Sequence, residues 1–459
     1  MVLKNLNKYS GLFTEYTELR VQENRELVIM YNQGNLVTNK KESNNGVSAR
    51  VYKGGSWGFA SMPIIDDKAI ETVINEAKEN ALFLNSKQNK NKGSLPKNSF
   101  SIEKDFTTDK LRLSQKELMA FVKEVDNYIK KKYPKLSNRV VGLNSLEMEK
   151  SLLTSHGSQL YSMLPRTNFY VALTIERDGT PIDMYEIYGG LGQFEDIFNK
   201  PEDLYSDIDK LYKKLIEKSE GVYTEAGVKE CILDSDLAGI LAHEAIGHTT
   251  EADMVLGGSI AADYLNEKVA SELITLVDFA NTYNNETCPV PIYIDDEGTK
   301  TEDAVIIEDG VLKEYMNNKE SAKYFDVKPK GNARAYKYND EPLVRMRNTA
   351  ILPGKSKLED MIASIDDGYY LMKPSNGQAD MTSEFMFGVT MGYEIKNGKL
   401  GRAIKDTTIS GVAFDVLKSV TMVSDDMTWS CGGMCGKKQM ITVGMGGPAI
   451  KCKVNIGGR

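Results

Sequence analysis

Two histidines stand five residues apart in the run His243-Glu244-Ala245-Ile246-Gly247-His248, with a glutamate directly after the first. Neutral imidazoles are good Zn²⁺ ligands, and a carboxylate beside them can take a proton from water activated by the metal. On a regular helix the usual arrangement is His-Glu-x-x-His, which puts both rings on one face. This sequence has one residue more. Five residues turn an α-helix by about 500°, which leaves the two side chains roughly 140° apart. A single π turn, or a break in the last turn, brings them together again. Gly247 is where such a distortion costs least. His243 and His248 are therefore candidate metal ligands, and Glu244 a candidate base.

A third ligand has to come from elsewhere. Cys431-Gly-Gly-Met-Cys435 is the richest source, since thiolate binds Zn²⁺ strongly and glycines let the backbone present it closely. Three arrangements stay open. One cysteine with two histidines leaves a position free for water, which is catalytic geometry; two cysteines would close the site and make it structural; Glu251 would serve as a carboxylate ligand. Glu244 favours the open version, because a structural site has no use for a base there. His156 has no partner at ligand spacing and is expected to be structural, in the turn Ser155-His156-Gly157.

The metal motif needs a helix to carry it, and the sequence supplies one. Asp234, Ser235 and Asp236 offer an N-cap, and Leu237, Ile240 and Leu241 follow at helical spacing. Val228–Leu233 reads as a strand leading in. Beyond it, Gly257-Gly258-Ser259 reads as the start of a flexible stretch. From about residue 272 the pattern is mostly β, at Leu276, Tyr293/Ile294, Val305–Ile307, Val311/Leu312, Met346–Ile351, Val389–Ile395, Thr408-Ile409 and Ile441–Val443. Turns are expected at Glu297-Gly298, Asp309-Gly310, Asp367-Gly368 and Asn397-Gly398, and one helix at Ala413–Ser419. Many strands with regular turns predict a closed or strongly coiled sheet.

The first half reads differently. Residues 16–61 alternate as a β meander, with turns at Gln33-Gly34-Asn35 and Asn45-Gly46. A helix follows from Asp66 or Asp67, with Ala69, Ile70, Val73, Ile74, Ala77 and Ala81 as its apolar stripe. Residues 85–112 read as an exposed connection with one short edge strand. Ser114-Gln-Lys-Glu117 is a capping box opening a second helix, and Lys130-Lys131-Lys132 is its solvated end. Residues 139–190 return to strands, at Leu143–Met148, Ser151–Thr154, Gln159–Leu164, Phe169–Ile175 and Met184–Tyr188. A hairpin turn is expected at Asp178-Gly179, and a third helix over 202–218. The expected fold is α+β: an N-terminal sheet-and-helix domain over 1–220, then a β-rich, barrel-like domain over 221–459 carrying the metal-motif helix.

Composition bounds the function classes. The chain has 459 residues, 41% hydrophobic and 27% charged, with a net charge of −8. That acidity argues against direct nucleic-acid binding, which needs a basic footprint. No apolar run reaches the length of a membrane span, and the first residues carry no signal-peptide core. Five scattered cysteines fit a reduced, cytoplasmic chain.

Several stretches together are similar to the TldD/PmbA family of metallopeptidases, in its TldD-type branch. They are the His243–His248 block with Glu251, Ile294-Asp-Asp-Glu-Gly-Thr299, Gly331-Asn-Ala-Arg334, Val344-Arg-Met-Arg-Asn-Thr349, Lys405-Asp-Thr-Thr-Ile-Ser-Gly411, Met434-Cys-Gly-Lys437 and Val443-Gly-Met-Gly-Gly-Pro448. Lys437-Lys438-Gln439 departs slightly from a common Lys-x-Gly-Gln form. The resemblance implies a peptidase with one Zn²⁺ per active subunit, held by His243, His248 and Cys435, with Glu244 as catalytic base. It implies a homodimer, or a heterodimer with a PmbA-type subunit, that cleaves unfolded peptides. It assigns no substrate-binding residues. The competing class is a non-catalytic modulator that binds a partner protein and keeps a structural metal site.

Overall fold

The computed structural model describes residues 4–88 and 92–458. Met1–Leu3, where a signal segment was not expected, and residues 89–91 of the expected connection lie outside them. One large sheet organises the first half. Its strands are β1 (Tyr16–Asn32), β2 (Asn35–Lys53) and β3 (Ser56–Met62), then, after helix α1 (Asp67–Gln88), β4 (Ser101–Asp105). Helix α2 (Gln115–Lys132) opens with the expected capping box at Ser114 and Glu117. β5 (Asn138–Thr154), β6 (Gln159–Arg177) and β7 (Thr180–Leu191) complete the sheet, and the short helix α3 (Phe194–Ile197) and α4 (Tyr205–Ser219) follow. The order is β3-β2-β1-β5-β6, with β4 and β7 sharing the outer edge of β6.

Where the sequence reading has five short strands over 139–190, the chain forms three long ones. The reason lies in the two faces of the sheet. Leu19, Val21, Ile29, Leu143, Phe169 and Val171 pack under the helices. The polar residues that interrupt the apolar pattern face the second half of the chain and are paired there. Gln22 and Asn24 donate to the carbonyl of Tyr336 at 2.6 and 2.8 Å, Arg20 donates to that of Lys337, and Lys150 pairs with Asp296 at 2.7 Å. Buried polar groups are tolerated when they are bonded in this way.

The second half is built around a closed five-stranded barrel. Strand β8 (Gly227–Leu233) lies between Asp367–Ala379, to which it is parallel, and Ile450–Gly457; Thr407–Val412 and Glu384–Lys396 complete the ring, which shuts where Glu384–Lys396 pairs with Asp367–Ala379. Asp367-Gly368, expected as a turn, opens the strand Asp367–Ala379 instead. A Cβ on Gly368 would sit 2.1 Å from the carbonyl of Glu230, so this glycine serves close strand packing. Tyr293/Ile294 form no strand, only a bridge from Ile294 to Lys300. The stretch at Gly257-Gly258-Ser259 is tied down: Ser259 Oγ donates to the carbonyl of Thr249 at 2.7 Å. Short helices at Lys319–Tyr324 and Leu358–Ala363 are additions to the expected elements. No helix among the described residues is long and apolar enough to cross a membrane.

Beside the barrel, Leu276–Phe279 and Asn348–Ile351 pair antiparallel in a second sheet. Their junction holds a fully buried ion pair, Arg347 Nε to Asp278 Oδ2 at 2.8 Å. The other oxygen of Asp278 accepts from the backbone of Arg347 and Asn348. Breaking one side of such a pair leaves an uncompensated buried charge. Asp278→Asn should therefore cost about 3–5 kcal/mol of unfolding free energy. Urea titration reads this directly, and an unchanged midpoint would contradict it.

Candidate metal centre

The metal-motif helix starts as expected. Asp234 caps it, its carboxylate accepting from the backbone N–H of Leu237 at 2.9 Å, and α5 (Ser235–Ile240) follows. The chain then winds into a π turn over Leu241–Gly247 before tightening into a 3₁₀ turn over His248–Thr250. The backbone N–H of His248 bonds to the carbonyl of His243, five residues back. That hydrogen bond spans the two candidate ligands and brings their rings to 5.2 Å between centroids.

Gly247 has a different role from the one its spacing suggests. Its φ of −56° and ψ of −54° are ordinary helical values. What excludes a side chain is Met346, whose sulfur would lie 2.0 Å from an added Cβ. Gly247→Ala is expected to cost about 1–3 kcal/mol, the range for overpacking a core. Met346→Val, which removes that sulfur, should recover part of the loss in a thermal melt of the double variant; strictly additive losses would refute the contact as the cause.

His243, His248 and Cys435 come together. Their ligand atoms all lie within 4.8 Å of one another, and Cys435 Sγ is 3.2 Å from His248 Nε2. His243 is fully buried, and neither of its ring nitrogens has a hydrogen-bond partner among the described residues. A buried imidazole left without partners is costly unless something else meets it. A cation between the three side chains would do so, and two imidazoles with one thiolate are a zinc-type donor set. Electrostatics agree. Burial acts to raise the Cys435 thiol, but the His243 and His248 imidazoles beside it outweigh burial and bring its pKa down to about 4. Burial acts to lower His248, yet Glu251 and Cys435 beside it push it up to about 10. The centre is arranged to hold positive charge beside a thiolate.

The remaining candidates separate cleanly. Glu244 is 24% exposed, with carboxylate oxygens 3.6 Å from His248 Nε2 and 3.9 Å from His243 Nε2. Glu251, fully buried, sits behind the ring: its Oε2 meets His248 Nδ1 at 2.8 Å and so turns Nε2 toward the centre. Carboxylates commonly orient ligating histidines in this way. Cys431 stays outside the group and donates its thiol to the carbonyl of Ile187 at 3.2 Å. His156 lies in its turn, its ring tilted 52° to that of Tyr16 with centroids 4.5 Å apart, and burial lowers its pKa. Lys437 belongs to the Met434–Lys437 stretch quoted for the family resemblance, but the sequence assigns it no role; its ammonium bridges Glu251 at 2.9 Å and Asp253 at 3.0 Å. Its place in that stretch, two residues after Cys435, is the signal that points to it.

Glu244 opens onto a cleft of about 500 Å³. Glu186 on β7, Asp236 on α5, Lys373 and Trp429 share its walls. Lys373 pairs with both carboxylates, at 2.9 and 3.0 Å, so the cleft is framed by both halves of the chain.

Three family models match the chain: PmbA/TldA metallopeptidase domain 1 over 17–81, the central domain over 109–220 and the C-terminal domain over 226–458. A metalloprotease of Methanocaldococcus jannaschii is 31% identical across 97% of this chain and 98% of its own length. A zinc metalloprotease TldD homolog of Saccharolobus solfataricus is 27% identical across the full length of both. Among solved structures, a Thermotoga maritima protein put forward as a modulator of a DNA gyrase superposes with a TM-score of 0.79 at 20% identity, covering 96% of each chain. TldE from Thermococcus kodakarensis gives 0.74 at 18%, covering 97% of this chain and 98% of its own. These two likenesses concern the fold.

Proposed function

Since the chain belongs to the PmbA/TldA metallopeptidase family, we propose that it is a zinc-dependent peptidase acting on unfolded or extended peptides, with His243, His248 and Cys435 holding the ion and Glu244 as general base. The observation that carries the reading is the convergence of three ligand atoms on a buried histidine without partners, beside a carboxylate that opens to a cleft. When bound, Zn²⁺ supplies Lewis-acid activation of water and of the scissile carbonyl. Glu244 takes up the proton and returns it to the leaving amine, a task for which a carboxylate at the cleft wall is suited. Glu251 keeps His248 in the tautomer with a free Nε2.

Two strand edges border the cleft. Among the described residues β7 pairs only with β6, and Thr428–Ser430 ends its own sheet. Ile187 and Trp429 bring these edges to the cleft wall. An extended peptide adding to such an edge is held through its backbone, with little demand on its side chains. The working unit on this reading is a cytoplasmic dimer, of this chain with itself or with a PmbA-type subunit. A closed structural site, which the modulator reading needs, calls for a fourth protein ligand, and the Cys431 thiol is turned to Ile187 instead.

Zinc analysis of the purified protein, together with cleavage of an unstructured peptide, tests the proposal, alone and with a PmbA-type subunit added. About one Zn²⁺ per active site and cleavage abolished by a chelator are expected. Zinc-loaded protein that leaves the peptide intact under both conditions would remove the peptidase reading.

A further inference from the structure

The segment that carries Cys435 has little regular structure. Met434–Cys435 and Ile441–Thr442 pair with each other, and residues 436–440 bulge between them. Buried backbone carbonyls in such a segment need donors from outside. Three buried arginines supply them. Arg345 is fully buried and donates to the carbonyls of Cys435 at 3.0 Å, Lys437 at 2.8 Å and Gln439 at 2.9 Å. Arg334 reaches the carbonyl of Thr442 at 2.8 Å, and Arg166, from β6 in the first half, donates to that of Cys431.

Arg345 makes no ion pair among the described residues, in contrast to Arg347 two positions on. A guanidinium buried against carbonyls alone is a costly anchor for a loop whose position does not matter. Its neighbours show what the position serves. Met346 packs under Gly247, next to His248, while Arg347 locks the segment to Asp278. Lys437, between two of the gripped carbonyls, holds Glu251 and through it His248. One strut, residues 345–347, therefore touches both the cysteine side and the histidine side of the centre.

We infer that Arg345 is a positioning residue of the metal centre: its grip on the carbonyls of Cys435, Lys437 and Gln439 fixes the Cys435 thiol against His248. Arg166 acts in the same sense at the start of the segment. The inference rests on Cys435 being a metal ligand, and the test separates the two ideas. Zinc dissociation constants are measured by chelator competition on the full chain, for wild type, Arg345→Lys, Cys435→Ala and the double variant. Lysine keeps the charge but not the three-carbonyl grip. Arg345→Lys should weaken zinc about 10–100-fold, as loss of an outer-shell partner does. In the Co²⁺-loaded protein, the thiolate-to-metal charge-transfer band should weaken as well. With Cys435→Ala in place, Arg345→Lys should change zinc affinity by less than about twofold, because its effect passes through that thiol.

Unchanged affinity and an unchanged cobalt band in Arg345→Lys would overturn the inference, as would a full effect persisting without Cys435. If Cys435→Ala alone leaves zinc affinity intact, the ligand assignment falls and the inference with it. Should Arg345→Lys fail to fold, Arg166→Gln carries the same test: zinc weakened only when Cys435 is present supports the clamp, and zinc unaffected overturns it.

Discussion

Glu244→Gln should leave zinc bound and the fold intact while peptide hydrolysis falls by roughly 10²-fold or more, the scale on which a positioned acid–base group contributes. The amide keeps the size of the carboxylate and one accepting oxygen, but it cannot take up a proton near neutral pH. Two features of the centre favour a clean result. Glu244 is partly exposed at the cleft rather than packed in the core, and it stands 3.9 Å from the buried His243, beyond hydrogen-bond reach, so the change breaks no hydrogen bond to that ring. Its oxygens also stand farther from the imidazole nitrogens than Cys435 Sγ does, 3.6 Å against 3.2 Å at His248. A modulator would keep its partner affinity and biological effect in this variant. Turnover that matched the wild type would eliminate Glu244 as the base.

The second large effect concerns the ion itself. His243→Ala, His248→Ala and Cys435→Ala should each yield protein depleted of zinc and inactive, because a three-ligand site loses a third of its donors with each change. Cys431→Ala should be mild, since it removes only a thiol bonded to the Ile187 carbonyl. Zinc measured by atomic absorption after dialysis separates the outcomes. Full zinc retention in both histidine variants would rule out the centre, and equal, severe depletion from both cysteine variants would indicate a closed structural site.

Much of the centre is legible in the sequence because its rarest residues are adjacent. A capped helix with one residue too many between its histidines leaves few geometries, and a π turn is among them. The reason for Gly247 is not legible. Its backbone is ordinary, and the constraint comes from Met346, 99 positions later, which no local rule addresses. The same holds for the third ligand: 187 residues separate Cys435 from His248, and residue chemistry alone leaves Cys431 and Glu251 open as ligands. The break-up of β5 and β6 into fragments has a comparable origin. Polar residues such as Lys150 look like interruptions until Asp296 is seen opposite, since a strand's second face is defined by its neighbour and not by its own pattern. Asp367-Gly368 reads as a turn for want of knowledge that β8 runs beside it.

The barrel's closure has a consequence for how the protein is made. β8, which feeds the metal helix, is flanked by Ile450–Gly457, more than 200 residues downstream, and Cys435 also follows the histidines at long range. At roughly 5–20 residues per second, a ribosome takes some tens of seconds or less to pass from one to the other. During that interval the nascent chain displays two histidines and a glutamate without the thiol or the strand that frames them. A lone histidine pair holds zinc weakly, because a catalytic zinc site takes three protein ligands. On the proposed ligand set, the order of synthesis thus keeps the three donors apart until the far end of the barrel has been made.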